Sequence, residues 1–430
     1  MKEYIISNPH ELEVNIKRNP LSFQISASKN ISEKTIPIVV LHGYGEYANS
    51  DYMKSVHKTL TSNYDVAIIT VNYIGTFTKV NFPIESIKPY DFLDQKLEIV
   101  PGEKKKNFLS LLHSLLENNQ HIIKILRDRK FITHIDFRPY TKAIDLLIYK
   151  IENKSCDGYY ILERLYEMGF TLAMVNFINT TKGEHQDFGL IQAMDILTAV
   201  SHIRNEHEYL DINWSKLSIV GTSHGGYIAS MCDKLAPNTF NIIVNNSGWI
   251  NARKLDILPR EIEKQFLTMR YNSAETNYWS DIDGDINYFS LRHQEIRSLS
   301  NLKHLNEQKS QTKYIDYKKY VFIHTLEDDL IPLEEKDAYI EEAMNNVGDF
   351  EYVRIDNQSK LDGRTFKSLK HGADASLKGL VIDFVIKSGF NEQIEKNDYD
   401  LKNIIEYKCT NGIYSINFTN GHPKIEYINS

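Results

Sequence analysis

The sequence predicts an α/β fold: a mostly parallel central sheet with helices on both faces, helical cap insertions and a C-terminal β-meander. Three observations predict it. Continuous apolar runs such as "IPIVVL" and "YDVAIITVNYI" recur, as expected of strands covered on both faces. Segments with helical spacing alternate with those runs. Glycine-rich turns join strand to helix at "HGYG" and again at "GTSHGG".

Along the chain, "ELEVNIKR" and "LSFQISAS" alternate apolar and polar residues and read as half-buried strands. "IPIVVL" follows as a buried strand, "SDYMKSVHKTLTSN" as a helix with a Ser-Asp start, and "YDVAIITVNYI" as the next strand. From 83 to 159 the chain is charged, with helix-like spacing, and reads as a helical insertion. Its Lys104–Lys106 run is expected to be a solvated helix start. "YYILERLYEMGFTLAMVNF" reads as helix then strand. "DFGLIQAMDILTAVSHIRNEH" reads as an amphipathic helix, with Leu190, Ala193, Leu197, Val200 and Ile203 on one face. "WSKLSIVGTSHGGYIASMCDKLA" is strand, sharp turn and helix, and "FNIIVNNSGWI" is another strand. Residues 250–315 are irregular and tyrosine-rich. After them come "KKYVFIHT", a helix from "LEEKDAYIEEAMNNVG", "FEYVRI" and a final core helix after "HGADAS". Two Asn-Gly pairs separate three short alternating runs in 391–430, which predicts the meander. The expected organisation is therefore a core of 1–82 and 160–390, a helical insertion at 83–159, a cap within the core at 250–315, and the meander at 391–430.

With 430 residues, 42% hydrophobic and 25% charged, the chain can build a sizeable core. A net charge of −7, spread along its length, argues against a nucleic-acid surface. Cys156, Cys232 and Cys409 are far apart, with neither a C-x-x-C pair nor zinc spacing, which fits a reducing compartment and no metal. "MKEYIISNPHELEV" has no apolar h-region, and no stretch approaches about eighteen apolar residues. The expectation is a cytoplasmic protein with no membrane span. Oligomeric state is not legible.

The chemistry sits in Gly221-Thr222-Ser223-His224-Gly225, a G-x-S-x-G between a strand and a helix. Such an elbow holds its serine in a strained conformation, and small residues two before and two after it prevent backbone clashes. A serine hydroxyl needs a general base, and the base needs an orienting carboxylate. "LEDDLIP" places acids at the end of a late strand. Asp328 is the leading one, because this loop resembles the acid loop of α/β-hydrolases, in which the acid stands four residues before a proline, here Pro332; Asp329 and Glu327 are fallbacks. His371, after the last core strand and before a helix, is the expected base. His224 should point away from its neighbour Ser223, His42 should shape the glycine turn, and His324 lies within the acid strand.

"HGYGEYA" also fits G-x-G-x-x-A, a dinucleotide-binding turn. That reading requires an acid about twenty residues on, at the end of the second strand, to hold a ribose. "IITVNYIG" offers none, and two strands already precede the turn. The turn is better suited to an oxyanion hole, with backbone N–H groups from Tyr44 and from His224. No cofactor is expected. Asp281–Asp285 fails as a calcium loop, because its twelfth position is Arg292 rather than Glu.

"HGYG", "GTSHGG", "LEDDLIP" and "KHGAD" together resemble the α/β-hydrolase superfamily of serine esterases, lipases and peptidases, over 10–80 and 160–390. The resemblance implies the α/β-hydrolase fold, acyl transfer through a covalent acyl-enzyme, and a small acyl-ester substrate. A peptidase or a non-catalytic scaffold remains an alternative. "EHQDFGLIQAMDILTAVSHI" and "ELEVNIKRNPLSFQI" further resemble an uncharacterised bacterial hydrolase-like family found beside surface-sugar and flagellar glycosylation genes, which implies an acylated sugar. Insertions in such proteins commonly form lids. Tyr271, Tyr278, Trp279 and Tyr288, with Trp249 just before them, are then expected to contact substrate or to pack the cap's own core.

Overall fold

The computed structural model describes residues 1–7, 19–43, 46–75, 78–81, 84–89, 141–153, 170–180, 185–186, 189–251, 261–264, 267–272, 277–278, 294–328, 330–331, 333–344 and 348–429. The chain divides into two compact units. Met1–Thr78, Thr180–Lys254 and Asn277–Ser430 form the first, and Lys79–Asn179 with Leu255–Thr276 the second.

The first unit is built on eight strands: β1 (Lys2–Ile6), β2 (Leu21–Ala27), β3 (Ile36–Leu41), β4 (Val66–Asn72), β5 (Ser218–Thr222), β6 (Ile242–Asn246), β7 (Lys319–Thr325) and β8 (Asp349–Ile355). Their order across the sheet is β1-β2-β4-β3-β5-β6-β7-β8. β2 runs antiparallel to both its neighbours, and every pair from β4 to β8 is parallel. This order, with a helix crossover between parallel neighbours, is the α/β-hydrolase fold.

Both faces of the sheet are covered, which is why β3 and β4 read as unbroken apolar runs. Helices α1 (Asp51–Asn63) and α6 (Leu377–Val381) touch each other on one face, α6 continuing into a π-helical turn at Ile382–Ile386. Met53, Val56, Leu60, Leu377, Leu380 and Val385 meet Ile38, Val40, Ile68, Val220 and Val244 in one buried cluster. Helices α2 (Leu190–Arg204) and α3 (His224–Leu235) pack on each other. α4 (Leu302–Gln311) and α5 (Leu333–Met344) complete the helices the site depends on.

The meander is an antiparallel sheet of β9 (Ile404–Cys409), β10 (Gly412–Asn417) and β11 (Lys424–Asn429). Gln311 at the end of α4 exchanges bonds with Glu406, its Oε1 accepting the Glu406 N–H at 2.8 Å and its Nε2 donating to the Glu406 carbonyl at 3.0 Å. The Tyr407 hydroxyl donates to the Lys234 carbonyl at the end of α3. The meander is thus stitched to α3 and α4 within the first unit by polar bonds.

Several expectations change here. The N-terminal strand is Lys2–Ile6, and "ELEVNIKR" lies outside the described residues. The insertion expected to be helical holds the helix Thr141–Glu152 but also a strand, Ile84–Pro89. A register shift between Ile84 and Ser86 breaks the alternation that would have revealed that strand. Phe170–Thr180, assigned to the core, instead joins a second sheet. It pairs antiparallel with Ile84–Pro89 and parallel with Leu267–Asn272. An apolar run announces a buried strand but not which sheet receives it. The span 250–315 is likewise split: 255–276 belongs to the second unit, whereas α4 belongs to the first. The Lys104–Lys106 run, the Asp281–Asp285 loop and Cys156 lie outside the described residues.

Candidate active site

Ser223 stands between β5 and α3 with φ 53° and ψ −126°, a conformation that costs a non-glycine residue about 1–3 kcal/mol. The surrounding backbone enforces it. The Ser223 N–H donates to the Asn246 carbonyl at 2.8 Å, while the Ser223 carbonyl accepts from Gly226 N at 2.9 Å and Tyr227 N at 3.2 Å. The flanking glycines follow from crowding. A Cβ at Gly221 would lie 2.1 Å from the Gly225 carbonyl oxygen, and one at Gly225 would lie 2.4 Å from that of His42. The G-x-S-x-G spacing is therefore a steric requirement of the turn.

The other two residues arrive from separate elements. His371 Nε2 lies 2.8 Å from Ser223 Oγ, and its Nδ1 lies 2.9 Å from both carboxylate oxygens of Asp328. Asp328 follows β7 and caps its own loop, Oδ1 accepting the N–H groups of Leu330 and Ile331 at 3.0 Å each. Its side chain is 1% exposed and that of His371 18%. Burial pushes the Asp328 carboxyl up. The His371 bond and charge, His324 and the Ile331 N–H outweigh it, so the carboxyl is held below its ordinary value. The set can do one thing well: take a proton from Ser223 Oγ onto His371 Nε2 while Asp328 holds the ring and stabilises its cation.

Of the fallback acids, Glu327 is exposed and Asp329 lies outside the described residues. The other histidines fall where expected. His224 turns away from Ser223, its Nε2 2.9 Å from Gln192 Oε1, and burial lowers its pKa to about 3. His42 bonds through Nδ1 to the Gly43 carbonyl at 2.9 Å and stacks on Tyr73, so it shapes the loop after β3. His324 is buried, its Nδ1 3.7 Å from Asp328 Oδ2.

Of the two expected oxyanion donors, the His224 N–H opens α3, where first-turn N–H groups lack intrahelical acceptors. Tyr44 lies outside the described residues, but Gly43 beside it is described. A Cβ there would sit 3.5 Å from Ser223 Cβ, so this loop does reach the serine. Ala48 N–H donating to Asn72 Oδ1 at 2.7 Å pins the far end of the loop to β4. Trp249 is half-buried, edge-on to His224 at 5.6 Å and tilted against Tyr227 at 6.2 Å. Trp279 and Tyr288 lie outside the described residues.

Sequence reasoning missed Gln192 and Asn246. Gln192 bonds His224 and also accepts the Gly189 N–H at 3.0 Å. Its only sequence signal is a polar residue in an apolar helix. Asn246 ends β6 beside the elbow, and nothing in its local pattern marks it.

Among the described residues one group has metal-ligand chemistry, Glu295, His304 and Cys409, with ligand atoms within 4.8 Å of one another. Its atoms are already committed. The buried Lys234 ammonium lies 3.1 Å from His304 Nδ1, and His304 Nε2 lies 3.2 Å from the Lys408 carbonyl. Glu295 accepts from both the N–H and the hydroxyl of Thr410. A buried lysine beside the histidine and a carboxylate bound to the β9–β10 turn make this a staple for the meander.

Among the described residues, no helix is long and apolar enough to cross a membrane. No curated protein matches the sequence. Among solved structures, the chain is similar to the esterase Est1E from Butyrivibrio proteoclasticus with ferulic acid bound, at 11% identity and a TM-score of 0.40, covering 86% of this chain and 95% of that one. It is also similar to an esterase from Thermogutta terrifontis, Est2, with butyrate bound, at 10% identity and a TM-score of 0.42, covering 89% and 94%. A third is the acylaminoacyl peptidase of Pyrococcus horikoshii, at 12% identity and a TM-score of 0.43, where the match covers 92% of this chain but only 42% of that one. The family model described as "Protein of unknown function (DUF2920)" matches residues 2–427, and the chain belongs to that family.

Proposed function

We propose that this protein is a serine hydrolase that transfers an acyl group through a covalent acyl-enzyme, most simply from a carboxylic ester to water. The observation that carries the reading is the continuous relay from Ser223 Oγ to His371 Nε2 at 2.8 Å and from His371 Nδ1 to Asp328 at 2.9 Å, set on a strained elbow. Three residues from distant parts of the chain meet in the geometry that general-base activation needs.

In this reading Ser223 Oγ attacks the ester carbonyl carbon as its proton passes to His371 Nε2. The carbonyl electron pair moves onto oxygen, where the N–H groups of His224 and Tyr44 receive it. His371 returns the proton to the leaving alcohol as the C–O bond breaks, leaving the acyl group on Ser223. Water then attacks with the same base, releasing the acid and restoring the hydroxyl. Trp249, half-buried beside the elbow, is the residue proposed to contact substrate. An O-acyl ester on a sugar is the proposed substrate class, supported by the resemblance of "EHQDFGLIQAMDILTAVSHI". The reducing compartment suggested by the cysteines points to the cytoplasm.

A fluorophosphonate probe tests the reading. Folded protein should form one adduct on Ser223, absent in Ser223→Ala. A wild type that stays unlabelled would leave a hydrolase-like scaffold. Short acyl esters turned over faster than aminoacyl amides would support the esterase, and the reverse order a peptidase on the same triad.

A further inference from the structure

We infer that Asn246 is a positioning residue that ties the nucleophile elbow to the turn carrying the base; the inference rests on the triad reading above. Asn246 is the last residue of β6 and is fully buried. Its carbonyl accepts the Ser223 N–H at 2.8 Å. Its side-chain Nδ2 uses both hydrogens, one to Thr222 Oγ1 at 2.9 Å and one to the Gly372 carbonyl at 2.9 Å. A carbonyl can only accept, so the amide nitrogen must be the atom that faces Gly372. One residue thus holds the backbone of the serine, the residue before it and the residue after the histidine.

The base turn needs such a tie. Gly372, Ala373 and Asp374 are three successive left-handed residues, with φ of 72°, 57° and 45°. Two of them are not glycine, so the turn is sparsely populated when left to itself. On its other side the Thr325 hydroxyl donates to the Lys370 carbonyl at 2.9 Å and the Glu327 N–H to the Leu369 carbonyl at 3.1 Å, which link the segment before His371 to the acid strand and its loop. The Asn246 bond closes the path from β6 to Gly372 and fixes where His371 Nε2 stands relative to Ser223 Oγ. Among the described residues, Asn246 Oδ1 is buried without a partner. An apolar residue at 246 would leave the buried Gly372 carbonyl without this donor. A hydrogen-bonded clamp keeps its amide for the nitrogen.

Reactivity is steep in geometry: a displacement of about 1 Å at a reacting pair costs on the order of 100-fold. In Asn246→Asp, an isostere, a carboxylate oxygen faces the Gly372 carbonyl and repels it, while the Thr222 hydroxyl turns to donate. The experiment is the time course of fluorophosphonate labelling of the full chain, which separates the labelled fraction from the rate constant. Asn246→Asp should keep the labelled fraction and lose about 10- to 100-fold in rate constant. Thr222→Val, which leaves the Gly372 bond, should lose less than about threefold. If Asn246→Asp does not fold, Asn246→Ser, too short to span both acceptors, should show the same loss. A rate constant equal to wild type, or a loss confined to the labelled fraction, overturns the positioning role while leaving the triad intact. A wild type that never labels on Ser223 overturns the triad reading, and this role with it.

Discussion

At the residue scale, Asp328 carries a separable prediction. Its Oδ1 already accepts two backbone N–H groups, so Asp328→Asn can keep its loop by leaving the amide oxygen there. The amide nitrogen then donates to His371 Nδ1 and forces the proton onto Nε2. In that tautomer Nε2 cannot accept the serine proton. Fluorophosphonate labelling should slow by about 10³- to 10⁴-fold with little change in urea stability. A loss under tenfold would mean that Asp328 is not the orienting acid. Position 328 stood out through a resemblance, since an acid at a strand end four residues before a proline is the form of the α/β-hydrolase acid loop. Asn246 did not, since its partners lie at 222 and 372 and no spacing in the chain joins them.

At the scale of the element, α2 shows what periodicity can and cannot tell. Leu190, Ala193, Leu197, Val200 and Ile203 predicted one apolar face, and all five are buried. Ile191, Met194, Ile196 and Ala199 on the other sides are buried too. The C-terminal segment bonds to the second half of this helix. The Tyr399 hydroxyl donates to the Leu197 carbonyl at 2.7 Å, Arg204 pairs with Asp400 at 2.8 Å, and Ser201 bonds the Gly421 carbonyl. A helix apolar all round is a buried helix, and its few polar residues are its fixed points. Asp195 is one, its carboxylate accepting the Ile74 N–H at 2.8 Å in full burial. Asp195→Ala leaves that N–H without its buried acceptor and should cost about 1–3 kcal/mol in urea unfolding. Asp195→Asn keeps an acceptor and should cost less. Equal costs for the two would show that the bond to Ile74 contributes nothing.

At the scale of the whole molecule, the sheet order was legible because each core strand is a local apolar run and each crossover a local helix. The second unit was not, since Phe170–Thr180 pairs with strands more than eighty residues away on either side and one of those ladders is bulged. Burial of titratable groups is a property of the assembled fold alone, and it makes a prediction about pH. His42, His57 and His324 are lowered to about 4, and His224 and His304 to about 3, in each case chiefly by burial. Unfolded, each returns to about 6.5. Between about pH 4 and 6.5 the unfolded chain therefore binds more protons than the native one, so stability rises with pH in that window and is lost as pH falls through it. Asp233, raised by burial, opposes this with a single group. Lys234 and Lys336, lowered to about 7 by burial, extend the rise above neutrality, because the unfolded chain keeps those two protons up to about pH 10. Urea unfolding at steps from pH 4.5 to 8 should give a steep limb below 6.5, equivalent to roughly three to five protons taken up on unfolding, then a shallower rise above 7. A flat profile between pH 4.5 and 6.5 would mean that these histidines are not buried neutral in the folded protein, and with that the packing of β3, α1 and α3 around the elbow would be wrong.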